Sequence, residues 1–186
     1  MKQSFEKRPP NGVSDHLALA FTTFGVGYIP GAPGTYGSLV AVAVYLVIAG
    51  LESVAGLSLL KSGFSSDQVN AGMWALNAVL LTCFCIAGIV ASQRAIALLG
   101  NSDPSQAVVD ELMGQFITFA FIPFGLSWPF ILGGFLLFRI FDIWKPFPID
   151  DLQVLPGGLG VCADDIVAGV YAGLCLAVGY AVYLYV

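Results

Sequence analysis

Five carboxylates stand out by position in this sequence: Asp110 with Glu111, Asp142, and Asp164 with Asp165. The first pair precedes an apolar run, Asp142 closes one, and the last pair precedes another. A single acid at a helix N-terminus is explained by capping and the helix dipole. Capping explains neither adjacent pairs nor Asp142, which falls at a C-terminal end where the dipole disfavours negative charge. Five acids gathered at one level would repel one another unless a cation sat among them, and hard oxygen donors suit Mg²⁺ or Mn²⁺ rather than zinc. Arg139 lies one helical turn before Asp142, so the two share a face, and Lys145 is three residues further on. Beside a metal cluster the two bases form a phosphate clamp; the competing reading is an intrahelical ion pair with snorkelling anchors.

A second group of candidates lies in the Gly/Pro-rich stretch 24–38, which reads Phe-Gly-Val-Gly-Tyr-Ile-Pro-Gly-Ala-Pro-Gly-Thr-Tyr-Gly-Ser. Glycines there permit close approach to a ligand. Thr35 is expected to cap the helix that follows, and free N–H groups around Gly34, Thr35 and Ser38 could receive a phosphate oxygen. Gly157-Gly158-Leu159-Gly160, ahead of Asp164, has the same character. His16 is the lone histidine and, next to Asp15, reads as an interfacial residue. The cysteines (Cys83, Cys85, Cys162, Cys175) show no CxxC spacing and read as packing residues.

The elements that must position these groups are apolar. The chain is 58% hydrophobic and 10% charged, against about 45–50% apolar and roughly 25% charged in a soluble domain. That excludes an ordinary soluble enzyme, a disordered protein and a disulfide-stapled module. The net charge of −5 without a basic stripe excludes nucleic acid as a partner. The chain is expected to be one integral membrane domain, 1–186, all-α, with residues 1–35 forming a cytoplasmic or interfacial arm and the Gly/Pro-rich loop. A spanning helix needs about 20 apolar residues. Residues 36–60, 72–99 (interrupted only by Gln93 and Arg94) and 166–186 qualify. Residues 112–141 are broken in the middle by Pro123, Gly125, Ser127 and Pro129, and predict a hairpin of two short halves, roughly 12 residues and about 18 Å each. The result is a polytopic bundle of four to five membrane segments, with residues 13–29 at the interface.

The distribution of Lys and Arg sets the orientation. With Lys2, Lys7 and Arg8 in the cytoplasm, Arg94, Arg139 and Lys145 also fall inside, and Lys61 alone falls outside. Asp103, Asp110, Glu111, Asp142, Asp150, Asp151, Asp164 and Asp165 then lie on the same cytoplasmic side, with Glu52 and Asp67 opposite.

Three stretches together resemble the phosphatidylglycerophosphatase A family of bacterial inner-membrane lipid phosphatases. They are Phe24-Gly25-Val26-Gly27 with Ala32-Pro33-Gly34-Thr35 and Gly37-Ser38; Asp110-Glu111-Leu112-Met113-Gly114; and 138–146 (Phe-Arg-Ile-Phe-Asp-Ile-Trp-Lys-Pro) followed by 157–161 and 164–169. The resemblance spans about residues 18–175. One departure is the loop between Pro148 and Gly157, where the family carries basic residues and this chain has Asp150 and Asp151. The resemblance implies hydrolysis of the phosphomonoester of phosphatidylglycerol phosphate, a phospholipid in the membrane, with Mg²⁺.

Other phosphatase chemistries lack their residues here. No cysteine has an Arg six positions on, a single histidine cannot act as both nucleophile and acid, and no Asp-x-Asp motif is present. Carboxylate-bound metal remains. Asp110, Glu111, Asp142, Asp164 and Asp165 are the expected ligands of one or two Mg²⁺ ions. Asp165 is the expected base orienting the attacking water, and Asp164 a ligand. Lys145, Arg139 and the Gly34–Thr35 backbone would hold the phosphoryl group. A phospho-aspartyl intermediate is the alternative chemistry, and a small transporter or cation channel with a carboxylate-lined site is the alternative function. The face Asp165, Gly169, Gly173 would let the hairpin pack closely or serve lipid entry. No motif specifies the oligomeric state.

Overall fold

The computed structural model describes residues 6–123 and 128–186, so Lys2, Gly125 and Ser127 of the sequence expectations lie outside the described residues. Six helices follow in order: α1 (Val13–Thr23), α2 (Pro33–Lys61), α3 (Ser66–Leu99), α4 (Val109–Phe119), α5 (Trp128–Trp144) and α6 (Gly157–Tyr185). Short 3₁₀ turns at Val26–Tyr28 and Asp150–Val154 precede α2 and α6. There is no strand among the described residues.

The helix ends follow local chemistry. α2 starts on Pro33, whose missing N–H is no loss in a first turn, and ends on Lys61, where the dipole favours a cation. α3 opens with a capping box. The Ser65 hydroxyl accepts from the Gln68 N–H at 3.2 Å, and the Gln68 side chain accepts from the Ser65 N–H at 2.9 Å. α3 closes on Gly100 at φ 80°, a left-handed conformation that glycine adopts without steric penalty. Pro129 lies in the first turn of α5 and Pro123 in the α4–α5 connection, so the expected break is real.

α2, α3 and α6, at 29, 34 and 29 residues, are long and apolar enough to cross a membrane. Their flanks expose Val47, Leu51 and Val54 on α2, Trp74, Val79 and Val90 on α3, and Val178 and Val182 on α6. In water so much contiguous apolar surface would drive aggregation, whereas in lipid it is solvated. α4 and α5 are shorter, at 11 and 17 residues.

α4 is the centre of the molecule, with eight of its 11 residues buried. It lies against α6 so closely that a Cβ on Gly114 would strike the Asp165 carbonyl and the Phe138 ring, and one on Gly169 would strike the Gly114 carbonyl. The Thr118 hydroxyl donates to the Gly114 carbonyl at 2.9 Å and approaches the Gly169 carbonyl at 3.3 Å. Further along, Gly173 faces the Phe121 ring. The stripe Asp165, Gly169, Gly173 is therefore a helix–helix contact.

Two expectations about helix starts need correction. Asp164 and Asp165 do not open the last helix, because α6 begins at Gly157, two turns earlier. The glycines and Val161 extend the apolar run backwards, and the acids sit within the helix facing the bundle. Thr35 does not cap α2. The helix starts at Pro33 with Ala32 as its cap residue and no side-chain cap, which puts Thr35 inside the first turn.

Candidate active site

The first turn of α4 carries Asp110 and Glu111, and the connection leading into it is pinned by the Val108 N–H donating to the Thr22 carbonyl at 2.9 Å. Close packing of α4 on α6 brings Asp165 to the same place. One carboxylate oxygen from each of Asp110, Glu111 and Asp165 lies within 4.8 Å of the others, a grouping able to hold a metal ion. Asp110 and Asp165 are buried and Glu111 half-buried.

The other two acids reach the same centre already paired. Asp142 accepts from Arg139 Nη1 at 2.5 Å. Asp164 Oδ2 accepts from Lys145 Nζ at 2.5 Å. Lys145 terminates α5 at φ 47°, an uncommon conformation for a residue with a Cβ. Its N–H donates back to the Phe141 carbonyl at 2.9 Å, and the reversal aims the side chain at α6. Burial pulls its ammonium down, but the Asp164 bond and the charges of Asp164, Asp165 and Asp142 outweigh this and hold it above its usual range.

α2 closes the third side. A Cβ on Gly34 would strike Glu111 Oε1 and crowd Arg139 Nη1, so the helix start lies against both groups and a larger residue would push the Glu111 carboxylate aside. The buried Ser38 hydroxyl donates to the Gly34 carbonyl at 3.0 Å and accepts from Arg139 Nη1 at 3.5 Å. Thr35 is half-buried beside them. Asp110, Glu111, Asp142, Asp164, Asp165, Arg139, Lys145, Gly34 and Ser38 thus converge from four helices at one end of the bundle.

The donor set fits a hard divalent cation. Glu111 Oε2 and Asp164 Oδ1 are buried with no hydrogen-bond partner. An unpaired buried acceptor is costly, and a cation within the oxygen cluster would satisfy it.

Sequence reasoning missed a clasp beside this site. Asp15 is fully buried, accepting from Arg94 Nε at 2.5 Å and from Arg8 Nη2 at 2.9 Å. The Asn11 N–H bond, then the Arg94 bond, hold its carboxyl down at about 2. Gln93, adjacent to Arg94, accepts from the Gly158 N–H at 2.8 Å and fixes the start of α6 to α3. The available signal was the polar pair Gln93-Arg94 inside an otherwise apolar run. His16 is exposed, with Nδ1 2.9 Å from the Gly12 carbonyl and no place in the site.

Three apolar helices of spanning length and a buried acidic group able to hold a metal ion, flanked by two bases, mark the architecture of a helical membrane protein. The chain belongs to the phosphatidylglycerophosphatase A family, whose profile matches residues 19–180, and is accordingly a phosphatase. It is 36% identical over 158 residues to a phosphatidylglycerophosphatase A of Haemophilus influenzae, covering 84% of this chain and 83% of that protein. It is 32% identical over 171 residues to that of Escherichia coli, covering 90% and 86%. A Bacteroides thetaiotaomicron protein named putative phosphatidylinositol-3-phosphatase is 35% identical over 161 residues, covering 86% and 91%. No solved structure matches the chain.

Proposed function

We propose that this protein hydrolyses the phosphomonoester of phosphatidylglycerol phosphate to phosphatidylglycerol and phosphate, with Mg²⁺, at the cytoplasmic leaflet of the bacterial inner membrane. The observation that carries the reading is the carboxylate cluster of Asp110, Glu111 and Asp165 flanked by Arg139 and Lys145, in a chain of this family. The relatives' names share one substrate class, a phosphomonoester on a phospholipid headgroup.

In this reading Asp110, Glu111 and Asp165 hold the cation, and Asp142 and Asp164 complete the acidic wall. The cation supplies charge neutralisation at the phosphoryl oxygens and acidifies water. Arg139 and Lys145 bind the remaining phosphoryl oxygens, and the N–H groups of the first turn of α2, at Gly34 and Thr35, add donors where Gly34 permits close approach. Asp164 has one oxygen on Lys145 and the other unpaired. That arrangement suits Asp164, rather than Asp165 as the sequence suggested, to orient the attacking water, with Asp165 serving as a ligand.

The placement follows from charge. α2 runs outward from the site, α3 returns, α4 and α5 form a short hairpin within the membrane, and α6 runs outward again. Arg8, Arg94, Arg139 and Lys145 then face the cytoplasm and Lys61 the opposite side. A carboxylate-lined ion path is not favoured, because the acids gather at one end of the bundle and the relatives are named phosphatases.

The test is phosphate release by purified protein in detergent, from phosphatidylglycerol phosphate and from a soluble phosphomonoester. Release that prefers the lipid and stops on chelation is expected. Absence of cation-dependent release from the lipid overturns the proposal.

A further inference from the structure

Gln115 is a polar residue that the site as described does not use. It is fully buried on α4, and neither Oε1 nor Nε2 of its amide has a hydrogen-bond partner. A buried polar side chain left unpaired at both ends calls for a reason. Its position supplies one. Gln115 follows Glu111 by four residues, so it lies on the same face of α4 one turn deeper in the bundle. Its neighbour Gly114 packs on the ring of Phe138, which puts this level of α4 beside the start of the Arg139 turn of α5.

Two other buried atoms here are unpaired. Glu111 Oε2 is an acceptor without a donor, and Arg139 Nε is a donor without an acceptor. Glu111 Oε1 and Arg139 Nη1 already crowd the same point above Gly34, so the two side chains are neighbours. A glutamine amide has one acceptor and two donors, so it is the complement of this pair: Oε1 matches the free Arg139 N–H, and Nε2 matches the free Glu111 oxygen.

We propose that Gln115 is a positioning residue of the acidic site, its amide bridging Arg139 Nε and Glu111 Oε2 through buried water, so that Glu111 is held for a divalent cation. The inference rests on the cation reading given above and adds to it a support beneath the ligands, of the kind that orients metal-binding carboxylates elsewhere. Gln115 touches no reacting atom and acts through Glu111.

Mn²⁺ is a suitable probe, because its binding to the purified full-length protein can be followed by electron paramagnetic resonance without any turnover. Gln115→Met keeps the length of the side chain without its hydrogen bonds, and Gln115→Leu is a second, more compact variant. Both are expected to bind Mn²⁺ about tenfold more weakly and to melt somewhat lower than the parent without the cation, because Arg139 Nε and Glu111 Oε2 lose their shared partner. In Glu111→Gln/Gln115→Met the loss is expected to equal that of Glu111→Gln alone, since a residue acting through Glu111 has nothing left to position. Parental Mn²⁺ affinity in a folded Gln115→Met protein overturns the proposal and leaves the cation reading intact, as do additive losses in the double variant. A parent protein that binds no Mn²⁺ overturns both.

Discussion

Asp165, Asp142 and Asp164 all belong to one acidic centre, yet their replacement by asparagine should be felt differently, because their partners differ. Asp165 stands among other carboxylates, and removing its charge relieves repulsion. Asp165→Asn is expected to melt no lower than the parent in the absence of cation, while phosphate release falls about a hundredfold or more. Asp142 and Asp164 instead neutralise Arg139 and Lys145, both largely buried, and an abandoned partly buried base is destabilising. Asp142→Asn and Asp164→Asn are therefore expected to lose phosphate release and several degrees of melting temperature together. Full activity in either variant removes that residue from the mechanism. Asp15 gives a prediction in pH. Its folded-state value near 2 lies below the ordinary carboxylate value of about 3.9, so its stabilising effect is complete above that ordinary value and fades as pH falls through about 2. Thermal melts of the parent and Asp15→Asn should differ at neutral pH and converge between about pH 4 and pH 2; a constant difference across that range contradicts the clasp.

Among the helices, the close pairing of α4 with α6 decides whether Asp110 and Glu111 meet Asp165. Gly169→Ala places a methyl group on the Gly114 carbonyl, and forcing backbones apart in a packed interior costs about 1–3 kcal/mol. The variant is expected to melt lower and to lose cation affinity, because the same separation opens the cluster. Gly72→Ala is the control: a Cβ there meets nothing within 4 Å, and alanine favours the helix by up to about 1 kcal/mol. Equal behaviour of the two variants would show that the glycine contact does not set the site. The long helices α2, α3 and α6 were readable because twenty or more apolar residues admit few other structures in a chain this poor in charge. Part of the candidate site was readable for a related reason: paired acids are conspicuous against such a background, and Asp110, Glu111 and Asp165 do lie close enough to hold a metal ion, while Asp142 and Asp164 stand in ion pairs with Arg139 and Lys145. What stayed hidden depends on distance in sequence. Nothing local announces that Asp15 faces Arg94 across 79 positions, or that Gln115 points inward. The start of α6 was misjudged because acids were read as a boundary, although an acid facing the bundle interior can sit inside a membrane helix.

At the scale of the whole molecule, the orientation predicts which surfaces water-soluble reagents reach. In the proposed orientation Ser105, ahead of α4, would face the cytoplasm and Ser62, in the α2–α3 turn, the opposite side; both are exposed. In a variant freed of its native cysteines, Ser105→Cys should react with a membrane-impermeant thiol reagent only when the cytoplasmic face is open to it, and Ser62→Cys only in the opposite vesicle orientation. Reaction of both from one face would refute the topology. The order of the acids along the chain has a further consequence. Asp110 and Glu111 lie on α4, but Asp165 lies on α6, 54 residues after Glu111. During synthesis, α2 and α3 emerge first, followed by the acidic turn of α4, before its partner on α6 exists. The acidic cluster is complete only after the ribosome has passed residue 165 and the last helix has docked, so a chain truncated before α6 lacks one of the three carboxylates that could hold a cation.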